Sequence, residues 1–190
     1  MFQPLAALFE HIDRYDDLVP LQELQSRLEA LTIGLEDVRS FAHFDREHYC
    51  RNLVHEGPAY QALILCWRNG QRSPIHDHRG SSCGVRVIHG TATETVFKRS
   101  SNGMIVPTGS RELPEGSVLG SFDTDIHQMS NLQPGRADLV TLHVYSPPLL
   151  VMGTYSLTDT TVHEFADPIS SARPAQVSKE KPSPGITART

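Results

Sequence analysis

Apolar and polar positions change rhythm near residue 59. Before it, Pro20-Leu21-Gln22-Glu23-Leu24-Gln25-Ser26-Arg27-Leu28-Glu29-Ala30-Leu31 places leucines at 21, 24, 28 and 31, one face of a 3.6-residue period. That predicts a helix with Pro20 in its first turn and Gly34 as its stop. Further helices are expected over residues 3–11 and about 36–45, all within a helical region of residues 1–48. From Ala59 the runs shorten. Tyr60–Trp67 reads as a strand closed by Asn69-Gly70. Val85, Val87, Thr91, Thr93 and Thr95 mark two more strands around a turn at His89-Gly90. Met104-Ile105-Val106, Ser117-Val118-Leu119 and Asp138–Tyr145 continue the series. Strands punctuated by Gly, Pro, Asn and Ser turns predict an all-β barrel or sandwich over 59–166, and helices that precede strands without alternating argue against a doubly wound sheet.

At 190 residues the chain suits about one domain of ~150 residues with a modest extension. The extension is residues 167–190, rich in proline and serine and without an aromatic residue, expected to be extended or partly disordered. A net charge of −5 does not suggest a nucleic-acid partner. Three well-separated cysteines, Cys50, Cys66 and Cys83, lack the pattern of a disulfide scaffold and fit a reducing compartment. The start has no signal-peptide character and no apolar run could span a bilayer, so a cytoplasmic protein without a membrane partner is expected.

The unusual residue is histidine, with 10 in the chain. His76 and His78 stand two apart, which on a strand turns both imidazoles to one face and Asp77 away. If that face is internal, both can reach one metal, with His89, His127 or His143 as candidates for the third ligand. Thr141, His143 and Tyr145 alternate at period two and should share a face. His143 could then orient the Tyr145 hydroxyl while Thr141 bonds the other imidazole nitrogen. Arg51 offers a planar fork for a carboxylate. Arg86 is a second possible anion contact, and Arg72 and Arg79 are expected at the rim or in solvent.

The run from Gly70 through His76-x-His78 to Gly90 resembles the first motif of the cupin superfamily, and His127-x-x-x-Asn131 resembles the second. The glutamate usual after the second histidine is missing from Arg79–Cys83. More specifically, Tyr49-Cys50-Arg51-Asn52-Leu53, Leu63–Trp67, Ser73–His78, Ser82-Cys83 and Leu142–Pro148 together resemble the cysteine dioxygenase family, thiol dioxygenases of that superfamily. The resemblance implies a cupin-type, jelly-roll-like β-barrel behind a short helical N-terminal region. It implies one Fe(II) per chain, held by His76, His78 and His127, and addition of both atoms of O2 to the sulfur of L-cysteine to give the sulfinate. It matches Arg51 and Tyr49 to the substrate-binding residues, Tyr145 to the active-site tyrosine and His143 to its neighbour. Thr141 stands where serine is often found. Cys83 matches the cysteine that forms a thioether with the tyrosine in eukaryotic-type members, where many bacterial members have glycine. Ser146-Pro147 matches a cis proline. The expected partners are a small thiol carboxylate and O2, with no obligate protein partner.

Alternatives remain open at this point: a dioxygenase for 3-mercaptopropionate or a related thiol acid, a zinc or nickel cupin with other chemistry, and a non-enzymatic binding module. Three histidines and a water would also suit zinc. Arg51 favours cysteine, because members acting on 3-mercaptopropionate typically carry glutamine in the matching region. Gly84 beside Cys83 could also reshape the pocket.

Overall fold

The structure is a computed structural model that describes residues 3–123, 125–166 and 168–169. The extension expected over 167–190 therefore lies, but for two residues, outside the described residues. Helix α1 spans Gln3–Ile12 and α2 spans Leu21–Ala30, close to expectation. Pro20 precedes α2 at its N-cap. Gly34 does not stop α2, which has already ended where Leu31 turns extended (φ −73°, ψ 121°). Gly34 instead opens α3, Leu35–Val38, where its N–H donates to Asp37 Oδ2 at 2.8 Å. The helix expected over 36–45 is only α3 and a 3-10 turn at Arg39–Phe41. Phe41, Ala42 and Phe44, which lent that stretch its apolar look, instead pack half-buried against the core.

Eleven strands follow among the described residues. They are β1 (Cys50–Gly57), β2 (Tyr60–Trp67), β3 (Ile75–His76), β4 (Ser82–His89), β5 (Ala92–Arg99), β6 (Ile105–Leu113), β7 (Val118–Phe122), β8 (Ile126–Ser130), β9 (Leu139–Ser146), β10 (Met152–Tyr155) and β11 (Val162–Phe165). Strand structure thus begins at Cys50 and not at 59. β1 escapes the pattern because an irregularity between Leu53 and His55 breaks its period, and its buried positions include the polar Arg51 and Asn52.

The strands pair antiparallel into two sheets, ordered β1-β2-β9-β4-β7 and β11-β10-β3-β8-β5-β6. The architecture is all-β with N-terminal helices, but neither sheet closes into the expected barrel. The free edges of the six-stranded sheet do not suit further pairing. β6 is exposed along almost its whole length and carries Pro107, and β11 is also mostly exposed. β4 and β5 flank the turn at His89-Gly90 without pairing with each other, because that turn carries the chain from one sheet to the other. Gly90 takes φ +83° there, and a Cβ would lie 2.6 Å from the Asp138 carbonyl oxygen.

The five-stranded sheet is buried on both faces, which is why β2 and β9 are buried at every position. Ala62, Ile64, Cys66, Val140, Leu142 and Val144 join Leu5, Phe9, Leu24 and Leu28 of the helices in one core. Leu63, Leu65, Trp67, Val85 and Val87 belong to a second core with Ala92, Met129 and Met152 of the other sheet. Gly84 and Gly120 are cross-strand partners under α2, and a Cβ on either would come within 3.0 Å of Leu28 or of Gln25 and Leu21. Gly84 thus shapes the helix contact and not the pocket considered for it.

Candidate metal centre

The two inner faces meet around His76, His78 and His127. β3 and β8 are neighbours, with His76 directly opposite His127. The HxH pair is only partly on a strand, since β3 ends at His76. His78 lies just beyond, its N–H bonded to the Asp123 carbonyl. Asp77 points away as expected, accepting from the Gly153 N–H at 2.9 Å and from the Tyr155 hydroxyl. All three histidines are buried, and one candidate ligand atom from each lies within 4.8 Å of the others. Of the other candidates for third ligand, His89 sits half-exposed beside Glu115, and His143 belongs to the opposite sheet, facing Tyr145.

The donor set fits a divalent cation. His127 Nε2 is a buried nitrogen without a hydrogen-bond partner among the described residues. An unsatisfied polar atom in a dry interior is costly, and a metal bond removes that cost at a ligating nitrogen. The His76 Nδ1–H faces the Pro74 carbonyl at 3.0 Å, leaving Nε2 for the cavity. Burial, reinforced by His127, pulls His76 down to about 3, and burial first also holds His78 well below the usual histidine range. Both are therefore neutral near pH 7, the state that binds metals. Such a three-histidine set can coordinate a divalent metal such as Fe(II) and keep positions open for other ligands.

The five-stranded sheet supplies the opposite wall. Thr141, His143 and Tyr145 share one face of β9 as the alternation predicted, and they form a chain. Thr141 Oγ1 lies 3.0 Å from His143 Nε2, and His143 Nδ1 lies 3.1 Å from the Tyr145 hydroxyl. Cys83 is the direct cross-strand partner of Tyr145, and its Sγ is 3.9 Å from His143 Nδ1. Burial pushes the Cys83 thiol well up. Arg51 is buried on β1, with its guanidinium carbon 5.7 Å from the centre of the Tyr145 ring. Tyr49 stacks on Trp67, with ring centres 4.3 Å apart. All of these except Thr141 line one cavity with the three histidines. Its free volume is about 10 Å³, room for about one water, so an amino-acid-sized substrate requires lining side chains to shift. A broader groove of about 1040 Å³ shares Tyr49 with it and includes Arg72.

Arg86 does not belong to the site. It points to the helical side and donates to the Leu28 carbonyl at 2.8 Å, because alternation on β4 sets it opposite Val85 and Val87. Arg79 lies outside, near Asp77 and Glu164. The Ser146-Pro147 bond is cis, as the motif suggested. Two residues at the site were not singled out by the sequence. Trp67 Nε1–H donates to Thr141 Oγ1 at 3.0 Å. Glu94, buried on β5, accepts from the His127 Nδ1–H at 2.9 Å. A lone glutamate between threonines reads as a solvent-facing position, so the only available signal was its alternation with Ala92.

The buried His143 imidazole is also held well below its usual range, by burial first and then by Arg51. A histidine with a lowered folded pKa binds fewer protons folded than unfolded, so stability falls as pH drops below the unfolded value of about 6.5. Denaturant midpoints of the metal-free protein are expected to fall steadily from pH 7.5 to pH 5. A flat or rising midpoint would contradict a neutral buried His143.

The sequence matches the family model for cysteine dioxygenase type I over residues 2–158. It is 34% identical over 145 residues to cysteine dioxygenase type 1 of Danio rerio, covering 73% of this chain and 71% of that one. Identity to the Rattus norvegicus protein of the same name is 36% over 137 residues, covering 70% of this chain and 68% of the relative. The Homo sapiens protein is 35% identical over 137 residues with the same shares. No helix among the described residues is long and apolar enough to cross a membrane.

Proposed function

Because the chain belongs to the cysteine dioxygenase type I family, we propose that its substrate is L-cysteine, which it oxidises with O2 to cysteine sulfinic acid. It is an Fe(II)-dependent thiol dioxygenase, an oxidoreductase that places both oxygen atoms on one sulfur. The observation that carries the substrate reading is the meeting of two walls: a buried three-histidine cluster on one sheet, and a buried arginine beside a tyrosine on the other.

His76, His78 and His127 would hold the iron, which supplies a place where thiolate and O2 meet. With no carboxylate ligand the bound metal keeps its full charge, which favours a thiolate over a neutral thiol. Arg51 takes the substrate carboxylate with its planar fork, and Tyr49, braced on Trp67, forms the neighbouring wall. Anchoring the carboxylate limits the poses of the sulfur, the main contribution a protein makes when the metal carries the chemistry.

The hydrogen count along β9 gives Tyr145 its role. An indole N–H can only donate, so Trp67 occupies a lone pair of Thr141 Oγ1. The Thr141 hydroxyl hydrogen then goes to His143 Nε2, which leaves the imidazole proton on Nδ1. That N–H donates to the Tyr145 oxygen and holds the phenol at the cavity wall beside Cys83, where it can hydrogen-bond the reacting oxygen. Cys83 and Tyr145 are direct partners on adjacent strands, placed for a thioether in which the S–H and a ring C–H are replaced by a C–S bond and the two hydrogen atoms pass to O2, giving hydrogen peroxide. In this reading the two sheets with their ligands are the jelly-roll form of the cupin fold, and residues 1–166 act as one domain.

The test is O2 uptake by the Fe(II)-loaded protein with cysteine, 3-mercaptopropionate and cysteamine, with the products identified by mass. Cysteine and O2 should disappear in equal amounts as sulfinate forms. Uptake with 3-mercaptopropionate in preference to cysteine overturns the substrate. Intact mass reports the crosslink.

A further inference from the structure

Glu94 stands outside the cavity yet touches a metal-binding residue. Its Oε1 accepts from the His127 Nδ1–H at 2.9 Å, and the side chains of both residues are 4% exposed. Its Oε2 accepts from Arg111 Nε at 2.7 Å and lies 2.7 Å from Nη2. Strand pairing explains the geometry. Glu94 and Arg111 are direct partners on β5 and β6, while Val96, two residues further along β5, is the partner of His127 on β8. A polar line therefore runs from the cavity across three strands to Arg111, whose side chain is 59% exposed.

The other histidines lack such a partner. His76 Nδ1 faces a neutral carbonyl, and His78 Nδ1 has no hydrogen-bond partner among the described residues. A carboxylate on the far nitrogen does more than a carbonyl can. It fixes the tautomer so that Nε2 faces the cavity, and its negative charge makes the ring a stronger donor.

We infer that Glu94 is a positioning residue for the metal centre: it orients His127 and supplies through that ring the negative charge that the ligand set lacks, while Arg111 limits how much of that charge reaches the metal. The inference rests on the proposed iron site, and adds that the three ligands are electronically unequal. The carboxylate missing after His78 is replaced one hydrogen bond behind His127, from another strand.

The variants are Glu94→Gln, which keeps an acceptor but removes the charge, and Arg111→Gln, which changes an exposed side chain at the sheet edge. Fe(II) affinity by chelator competition and the Fe(III)/Fe(II) midpoint potential are measured for each beside the parent. Glu94→Gln should fold, bind Fe(II) about 10-fold more weakly and shift the potential upward, because the oxidised ion loses a nearby negative charge. Arg111→Gln should shift the potential downward. Unfolding midpoints within error of the parent would show that the effects are not loss of fold. A parent-like potential and affinity in Glu94→Gln overturns the inference, as does a shift of the same sign in both variants. If Glu94→Gln does not fold, Arg111→Gln decides alone, and an unchanged or raised potential there overturns it. These readouts concern metal binding and potential, so they decide the role of Glu94 whether or not cysteine proves to be the substrate.

Discussion

His127→Ala is expected to lose iron and sulfinate production together. The imidazole removed is one of three buried donors whose candidate ligand atoms lie within 4.8 Å of one another, and the two remaining histidines cannot close the same set. Changes one shell further out commonly cost 10–100-fold in metal affinity or activity, so loss of a direct ligand should reduce activity by at least about 100-fold. The same substitution strands the Glu94 carboxylate in the interior, leaving it Arg111 as its partner among the described residues. Some loss of stability is therefore expected as well, and His127→Gln serves as a milder companion. Metal analysis after Fe(II) loading and a mass assay for sulfinate make the check, with the unfolding midpoint showing that the chain still folds. A His127→Ala protein with full iron and full turnover would remove His127 from the centre.

The second large effect belongs to Arg51. Arg51→Ala should leave iron content near that of the parent, because the guanidinium lines the cavity from the sheet opposite the histidines. What it should lose is the carboxylate anchor. Truncating one partner of a buried, hydrogen-bonded charge pair costs about 2–5 kcal/mol, so kcat/KM for cysteine should fall by about 30-fold or more. A thiol without a carboxylate, such as cysteamine, has no such contact to lose and should be oxidised by parent and variant at similar rates. Steady-state O2 uptake with both thiols separates the cases. An equal loss for both would mean that Arg51 supports the cavity instead of anchoring the substrate.

The two variants divide the site along its structural seam. Metal ligands come from β3, β8 and the turn beyond β3, while Arg51, Cys83 and the Thr141–His143–Tyr145 chain come from β1, β4 and β9. Iron content should follow the first wall and substrate preference the second. Trp67 extends the second wall, since its stack on Tyr49 and its donation to Thr141 link the substrate side to the tyrosine.

What the sequence by itself determined is what short-range periodicity and motif spacing can carry. The leucine face located α2, the alternation of Thr141, His143 and Tyr145 put them on one face of β9, and the histidine spacing with its family motifs pointed to the metal. These are properties of neighbouring residues, and a strand's period of two turns them directly into shared faces. Tertiary structure decided the rest. It made β1 a strand and buried Arg51, it parted the strands into two unclosed sheets where the strand pattern left barrel and sandwich both open, it turned Arg86 and Gly84 toward α2, and it set Glu94 behind His127. Each of those outcomes depends on which distant strand lies alongside, and hydrogen-bond register between strands far apart in the chain leaves no local pattern. A glutamate between two threonines looks the same whether it faces water or a buried imidazole, and only the pairing of β5 with β8 distinguishes them.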